Sequence, residues 1–104
     1  MNQGYVYIVS NKNRTTLYIG VTNDIERRIA EHKSGVGSVF TKRYNLTDLM
    51  YYEHHKYITD AIAREKVLKK WKRAWKDDLI KTMNETQADL AADWDLPDMR
   101  DAYK

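Results

Sequence analysis

Two short segments of β-branched and aromatic residues near the N-terminus restrict the fold of this chain most strongly. Residues 5–9 (Tyr-Val-Tyr-Ile-Val) and 17–19 (Leu-Tyr-Ile) have the composition of β-strands, and the polar stretch 11–14 separates them. This pattern predicts an antiparallel hairpin. A hairpin alone is only marginally stable in water, so its two strands need further elements to cover them.

A helix is expected directly after the hairpin. Gly20 should end the second strand, and Asn23 with Glu26 resembles a capping box that opens a helix over roughly 23–33.

The remaining pattern predicts a third strand at about 49–53, a long helix at about 58–74 and another at about 77–83. The predicted fold is therefore α/β: a small three-stranded antiparallel sheet flanked by helices, in the order β-β-α-β-α-α.

Length and charge together suggest one basic domain with an acidic end. A chain of 104 residues is long enough for one hydrophobic core and too short for two. Residues 1–83 carry sixteen Lys or Arg against nine Asp or Glu, a net +7, whereas 84–104 carry two against six, a net −4. We expect a domain over 1–84 and a solvated acidic tail over 85–104. A basic body favours a polyanionic partner such as nucleic acid.

Several classes of protein are disfavoured by what the sequence lacks. It contains no apolar run near the roughly 18 residues that span a bilayer, and no basic segment followed by an apolar one at its N-terminus. We therefore expect a cytoplasmic protein without a membrane partner. Because there is no cysteine, any bound metal must be held by carboxylate, imidazole or water.

Two polar side chains fall on the apolar face of the predicted first helix. Ile25 and Ile29 define the buried stripe, and helical spacing places Arg28 and His32 on the same side. Arg can pack its stem on a core while its charge reaches water, and an inward His is commonly a hydrogen-bonded core residue. A structural and a catalytic role both stay open for each.

The long helix near the C-terminus repeats this arrangement with a carboxylate. A helical wheel puts Glu65 in the middle of a stripe formed by Ile58, Ala61, Ile62 and Leu68. An ionised carboxylate in apolar surroundings needs a cation, several hydrogen bonds or a proton. Glu65 could meet this need in a buried ion pair with Arg28, without chemistry, or by binding a metal ion.

Strand alternation adds two phenols to this set. Tyr7 and Tyr18 become cross-strand neighbours if the hairpin register allows it, although each could also be a plain core residue. The five side chains aimed at one interface would be Tyr7, Tyr18, Arg28, His32 and Glu65.

Such a set suits phosphodiester hydrolysis. Glu65 could bind one Mg²⁺ or Mn²⁺, which would polarise a phosphoryl oxygen, and Arg28 could contact the phosphate. Tyr7 or Tyr18 could activate water, and His32 could hold that tyrosine or shuttle its proton.

The order of these residues resembles the GIY-YIG nuclease superfamily, most closely its short single-domain bacterial subfamily. Residues 5–7 stand where the family has its GIY triplet, and residues 18–20 form a full YIG after ten intervening residues. Residues 20–32 are similar to the family's Arg-containing helix, and residues 64–71 to its metal-binding Glu segment. The resemblance covers roughly 4–84.

What the resemblance implies can be assigned residue by residue. It implies catalytic roles for Tyr7, Tyr18, Arg28 and His32, and makes Glu65 both catalytic and the metal ligand. Asn84 would be a terminal-motif residue, although Glu85 stands where the family's usual Pro follows.

Basic residues outside this set are candidates for phosphate contacts. They are Lys42 and Arg43, in the loop expected before the third strand, and Lys66, Lys69, Lys70, Lys72 and Arg73 on the long helix. A plain solvated helix face is the alternative.

The favoured hypothesis is a metal-dependent endonuclease that acts on DNA, with RNA not excluded. So small a domain offers little surface for base readout, which favours structure-selective recognition, a protein partner or a homo-oligomer. The alternatives are a nucleic-acid-binding module without cleavage and an interaction protein with a relic site.

Overall fold

The computed structural model describes residues 2–103. Its elements are β1 (Gly4–Ser10), β2 (Leu17–Thr22), α1 (Ile25–Lys33), α2 (Val39–Arg43), β3 (Asp48–His55), α3 (Ile58–Lys69), α4 (Arg73–Lys81) and a 3₁₀ turn (Arg100–Tyr103). The three strands form one antiparallel sheet in the order β2-β1-β3, so β1 is central. The predicted fold class is confirmed. None of the helices within 2–103 is long and apolar enough to cross a membrane.

The central strand separates two hydrophobic cores because its side chains alternate between the sheet faces. Val6 and Ile8 pack on one face with Ala61 and Leu68 of α3. Tyr7 and Val9 point to the other face, in a cluster that includes Ile25 and Ile29 of α1. The sheet is thus covered on both sides.

Two boundaries near the first helix differ from the prediction. Gly20 does not end β2, because the ladder continues until Thr22 pairs with Tyr5. The helix is capped by Asp24 rather than Asn23, since the Asp24 side chain accepts a hydrogen bond from the backbone N–H of Arg27. Because β2 continues past Gly20, the N-cap of α1 lies later in the chain than expected.

The helices after β3 also divide differently. The expected helix over 58–74 ends at Lys69, and the next begins at Arg73, earlier than expected. Between them Lys72 has an extended backbone, with φ −63° and ψ 158°. The break lets Trp71, Leu79 and Ile80 reach the core beneath α3. Tertiary packing therefore overrides a continuous helical pattern.

A β-bulge in β3 is stabilised by a residue beyond α4. Ile8 pairs with Tyr51 but Val9 pairs with Leu49, so Met50 is the extra residue. The Asn84 side chain donates to the Met50 carbonyl at 3.1 Å and to the Ala88 carbonyl at 2.7 Å. Asn84 thus satisfies a backbone oxygen at the bulge.

The acidic C-terminal segment packs on the sheet instead of lying in solvent. The Leu90 N–H donates to the Leu49 carbonyl at 2.8 Å, and Ala91 is buried in the α1-side core. The Asp89 carboxylate accepts from the Leu49 N–H and from Lys33. The expectation of a solvated tail is wrong here, because apolar residues between the acidic ones supply a face for the core.

Candidate active site

Tyr7 lies at the centre of a buried chain of hydrogen bonds. Its hydroxyl oxygen accepts from Arg28 Nε at 3.2 Å and lies 2.8 Å from His32 Nε2. His32 Nδ1 lies 3.1 Å from Thr41 Oγ1, whose hydroxyl donates to the Ser38 carbonyl at 3.1 Å. The chain connects β1, α1 and the short helix α2.

One assignment of the protons satisfies every group in this chain of hydrogen bonds. The Thr41 hydroxyl donates to the Ser38 carbonyl, and its oxygen then accepts from Ser38 Oγ–H and from His32 Nδ1–H. A neutral imidazole has one N–H, so Nε2 carries the lone pair and accepts the Tyr7 hydroxyl proton. In this tautomer the Tyr7 hydroxyl donates to His32 Nε2.

Burial and the nearby charge of Arg28 keep the imidazole of His32 uncharged. Burial, followed by the nearby Arg28 charge, lowers the pKa of His32 to about 4. Burial raises the pKa of Tyr7 to about 12, against the lowering effect of its hydrogen bond from Arg28. Burial opposes the charge of Arg28, but hydrogen bonds to Tyr7 and Glu31 outweigh it and raise the guanidinium pKa.

Sequence reasoning missed two residues of the site. Glu31 is buried and accepts from Arg28 Nη1 at 2.9 Å, which fixes the guanidinium against α1. The i, i+3 spacing from Arg28 was its available signal. Thr41 lies in α2, a five-residue helix too short to show a period in sequence.

Glycines at two positions make room for the site. A Cβ on Gly20 would overlap the Tyr7 hydroxyl, because Tyr7 and Gly20 are paired across β1 and β2. A Cβ on Gly37 would overlap His32 Nδ1. Gly20 is thus needed for space next to the phenol.

Tyr18 lies on the same sheet face as Tyr7 but two pairs along the ladder. Tyr18 pairs with Val9, so the two tyrosines are diagonal neighbours and not directly opposed. The Tyr18 ring centroid is 6.1 Å from that of His32, and Lys69 Nζ lies 5.7 Å from the Tyr18 ring centroid. Tyr18 is half-buried, whereas Tyr7 is 1% exposed.

A surface cleft opens beside Tyr18. It has a volume of about 360 Å³ and is lined by Leu17, Tyr18, Ile19, Phe40, Lys69 and Lys76. Among the described residues, no hydrogen bond involves the Tyr18 hydroxyl. Tyr18, rather than Tyr7, is the phenol placed to meet a molecule from outside.

Glu65 lies on the buried side of α3, although Ile62 does not belong to that side as predicted. Ala61 and Leu68 are buried, whereas Ile62 is exposed and the Glu65 side chain is 15% exposed. Glu65 Oε1 is 3.6 Å from Lys69 Nζ. The alternative of a Glu65–Arg28 ion pair is not observed, because the carboxylate beside Arg28 is Glu31.

The carboxylates and histidines offer few ligands for a metal ion. Within residues 2–103, no group of three or more Asp, Glu or His side chains is arranged to hold one. Mg²⁺, however, commonly keeps several waters and takes one or two carboxylates plus substrate phosphate. The single carboxylate of Glu65, beyond hydrogen-bond distance of Lys69, fits that mode of binding.

The remaining predicted site residues are distributed around this region. Lys42 and Arg43 lie on α2, not in a loop, and both are exposed. Asn84 supports the bulge and has no bond to the Tyr7 chain. Lys66, Lys69, Lys70 and Lys72 are exposed, and Lys72 Nζ lies 5.3 Å from the Trp75 ring centroid.

Arg73 is occupied by structural contacts. Its guanidinium donates to the Arg14 and Thr15 carbonyls, and its Nε donates to Asp77 at 2.9 Å. It fastens α4 to the turn between β1 and β2. Lys76, which sequence reasoning passed over, lines the cleft instead.

Comparison with known proteins gives one consistent family. The GIY-YIG catalytic domain matches residues 3–78. A UPF0213 protein of Natronomonas pharaonis is 37% identical over 76 residues, 73% of this chain and 88% of that protein. One of Staphylococcus saprophyticus is 38% identical over 80 residues, 77% of this chain and 96% of that protein. The solution NMR structure of a UPF0213 protein of Bacillus halodurans has a TM-score of 0.55 and 25% identity, covering 91% of this chain and 99% of that one.

Proposed function

This chain belongs to the GIY-YIG catalytic domain family, and we propose that it is a metal-dependent endonuclease that hydrolyses phosphodiester bonds in DNA. The observation that carries the proposal is the hydrogen-bonded chain from Arg28 through Tyr7 to His32. The Tyr18 ring, 6.1 Å from that of His32, connects this chain to a cleft that is also lined by Lys69 and Lys76. A structural core would need these polar groups satisfied, but it would not need an open cleft with two lysines at Tyr18.

Some of the site residues would contact the substrate, and others would hold those residues in position. Arg28, with 27% of its side chain exposed, would hold the scissile phosphate and stabilise its developing negative charge. Tyr18 would position the attacking water at the cleft. Tyr7 is too buried to touch substrate, so it would orient Arg28, while His32 holds the Tyr7 proton in place.

Glu65 would hold one Mg²⁺ or Mn²⁺. When bound, the ion would neutralise charge on the phosphoryl and leaving oxygens. Lys69, which pairs with Glu65 at 3.6 Å, would then be available for a neighbouring phosphate.

The proposed substrate is DNA recognised by its structure. A domain of this size offers few side chains for base readout, and the cleft at Tyr18 has a volume of only about 360 Å³, so a branch, end or unpaired segment is favoured over a base sequence. A protein partner or a second copy of the chain could extend this surface.

The test is cleavage of linear, nicked, flapped and single-stranded DNA in Mg²⁺ or Mn²⁺. Glu65→Gln should abolish cleavage, and Arg28→Ala should slow it by about 10²–10³-fold, as for loss of a donor to a developing oxyanion. Matched controls are Asp60→Asn on the same helix as Glu65 and Arg27→Ala next to Arg28, both at exposed positions. Cleavage that survives Glu65→Gln would refute the proposed metal ligand.

A nucleic-acid-binding module without turnover is the second candidate. The burial of Tyr7 favours it, because a fully buried phenol can be explained as part of a polar core. Salt-sensitive DNA binding with no cleavage in either metal would select this function.

A further inference from the structure

We propose that α2 presents a stacking platform for unpaired bases of single-stranded DNA next to the candidate active site. The platform consists of Phe40 and Tyr44, which continue inward to Tyr18. This inference rests on the proposed function, because it names the substrate class of the same site.

The platform is a row of aromatic rings that runs from the outer surface to the cleft. The Phe40 and Tyr44 ring centroids are 4.8 Å apart, and the Phe40 and Tyr18 centroids are 6.1 Å apart at an interplanar angle of 30°. Phe40 is 44% exposed and Tyr44 is 42% exposed. Each therefore keeps much of its ring available to another flat group.

Core packing does not explain these exposed rings. The buried residue of α2 is Thr41, which is held by its hydrogen bonds to His32 and Ser38. Thr41 alone therefore ties α2 into the Tyr7 chain. Phe40 on α2 and Tyr44 directly after it therefore lie next to the Tyr7 chain without being buried in it.

The charge around the platform fits a polyanion. The Arg43 guanidinium lies 5.5 Å from the Tyr44 ring centroid, and Lys69 Nζ lies 5.7 Å from the Tyr18 ring centroid. The six residues that line the cleft include Lys69 and Lys76 but no Asp or Glu. Phosphates could follow these cations while bases rest on the rings.

The stacking chemistry favours a single strand over a duplex. Paired bases in a double helix already stack on their neighbours, so their faces are not available to Phe40. Unpaired bases have free faces, and stacking on an aromatic side chain accepts any base. The platform thus predicts preference for flaps, gaps or ends over intact duplex.

The test is binding of fluorescein-labelled oligo(dT), a blunt duplex and oligo(rU) to the full chain in EDTA, so that cleavage plays no part. Phe40→Leu should weaken oligo(dT) binding by about 5- to 150-fold, the range of one base stacked on one aromatic side chain. Duplex binding should stay unchanged. Val39→Ala is the matched control, because Val39 is 86% exposed on the same helix and is not aromatic.

A second pair of variants separates stacking from loss of structure. Phe40→Trp should bind oligo(dT) as tightly as wild type or more tightly, because it retains a flat ring. Tyr44→Leu should reproduce the Phe40→Leu loss. Circular dichroism should show that all four variants fold, since the substituted side chains are exposed.

Each outcome either supports or overturns the platform. Equal oligo(dT) binding by Phe40→Leu and wild type overturns it, as does equal weakening for oligo(dT) and duplex. Tighter Phe40-dependent binding of oligo(rU) than of oligo(dT) overturns the assignment to DNA. If Phe40-dependent binding is found without cleavage in either Mg²⁺ or Mn²⁺, the endonuclease proposal fails and the platform stands. If wild type cuts DNA but Phe40→Leu has no effect on binding, the platform fails and the endonuclease proposal stands.

Discussion

Lowering the pH below neutrality should destabilise this domain through His32. The imidazole is buried and its pKa in the folded chain is about 4, against an ordinary value of 6.5. Between these two values the unfolded chain binds a proton that the folded chain does not. The stabilisation is therefore fully present above about pH 6.5, and it decreases as the pH falls towards 4.

The magnitude follows from the size of the pKa shift. A shift of one unit corresponds to 1.36 kcal/mol, so a change from 6.5 to about 4 gives about 3 kcal/mol. The cause is burial first and the neighbouring Arg28 charge second. Protonation of His32 would also disrupt the chain of hydrogen bonds, because its Nε2 could no longer accept a hydrogen bond from Tyr7.

The assay is urea unfolding from pH 7 to pH 4 for wild type and His32→Gln. Carboxylates with lowered pKa values, such as Asp48 and Glu53, also lose stability in acid, but they do so equally in both proteins. The difference between the two free energies of unfolding isolates His32. It should change by about 3 kcal/mol across this range.

An NMR titration provides an independent measurement. The chain has three histidines, and the His32 resonance is the one that disappears in His32→Gln. It should not titrate above pH 5. A midpoint near 6.5, or a free-energy difference that is flat within about 0.5 kcal/mol, would refute the burial argument, since surface substitutions alone stay within that range.

Two further substitutions test supporting contacts. Asn84→Ala should lower the free energy of unfolding by about 1–3 kcal/mol, because it removes hydrogen bonds to the bulge carbonyl of Met50 and to Ala88; oligo(dT) binding should not change. An unchanged urea midpoint would contradict the role given to the bulge. Asp48→Asn should cost about 1–3 kcal/mol at pH 7, since it weakens the 2.8 Å ion pair with Arg14, which holds the β1–β2 turn at φ 59°. The low pKa of Asp48 means that this cost should vanish in acid, as wild-type Asp48 becomes protonated.

Patterns with a clear period predicted the fold well. The β-branched and aromatic strands, and Ile25 with Ile29 on α1, correctly placed the sheet and the buried position of His32. The resemblance to the GIY-YIG family was confirmed by the family match over 3–78. These features depend on local alternation, which a sequence displays directly.

Features that depend on tertiary context were not predicted. The five-residue α2 has no period to read, so Thr41 and the exposed rings beside it were missed. The break at Lys72 and the docking of 89–91 on β3 follow from packing between elements distant in sequence. The helical wheel likewise put Ile62 in the buried stripe of α3, whereas it is 38% exposed, because the way that α3 packs on the sheet decides the width of the buried face.

The fit between Tyr7 and Gly20 couples the motif at residues 5–7 to the motif at residues 18–20, so neither position can change alone. The phenol fills the volume that any side chain at position 20 would occupy. Positions 7 and 20 should therefore show strong epistasis: a methyl group at 20 is tolerable only with a shorter residue at 7. That shorter residue would give up the oxygen that joins Arg28 to His32, so this site offers no neutral mutational path away from its glycine.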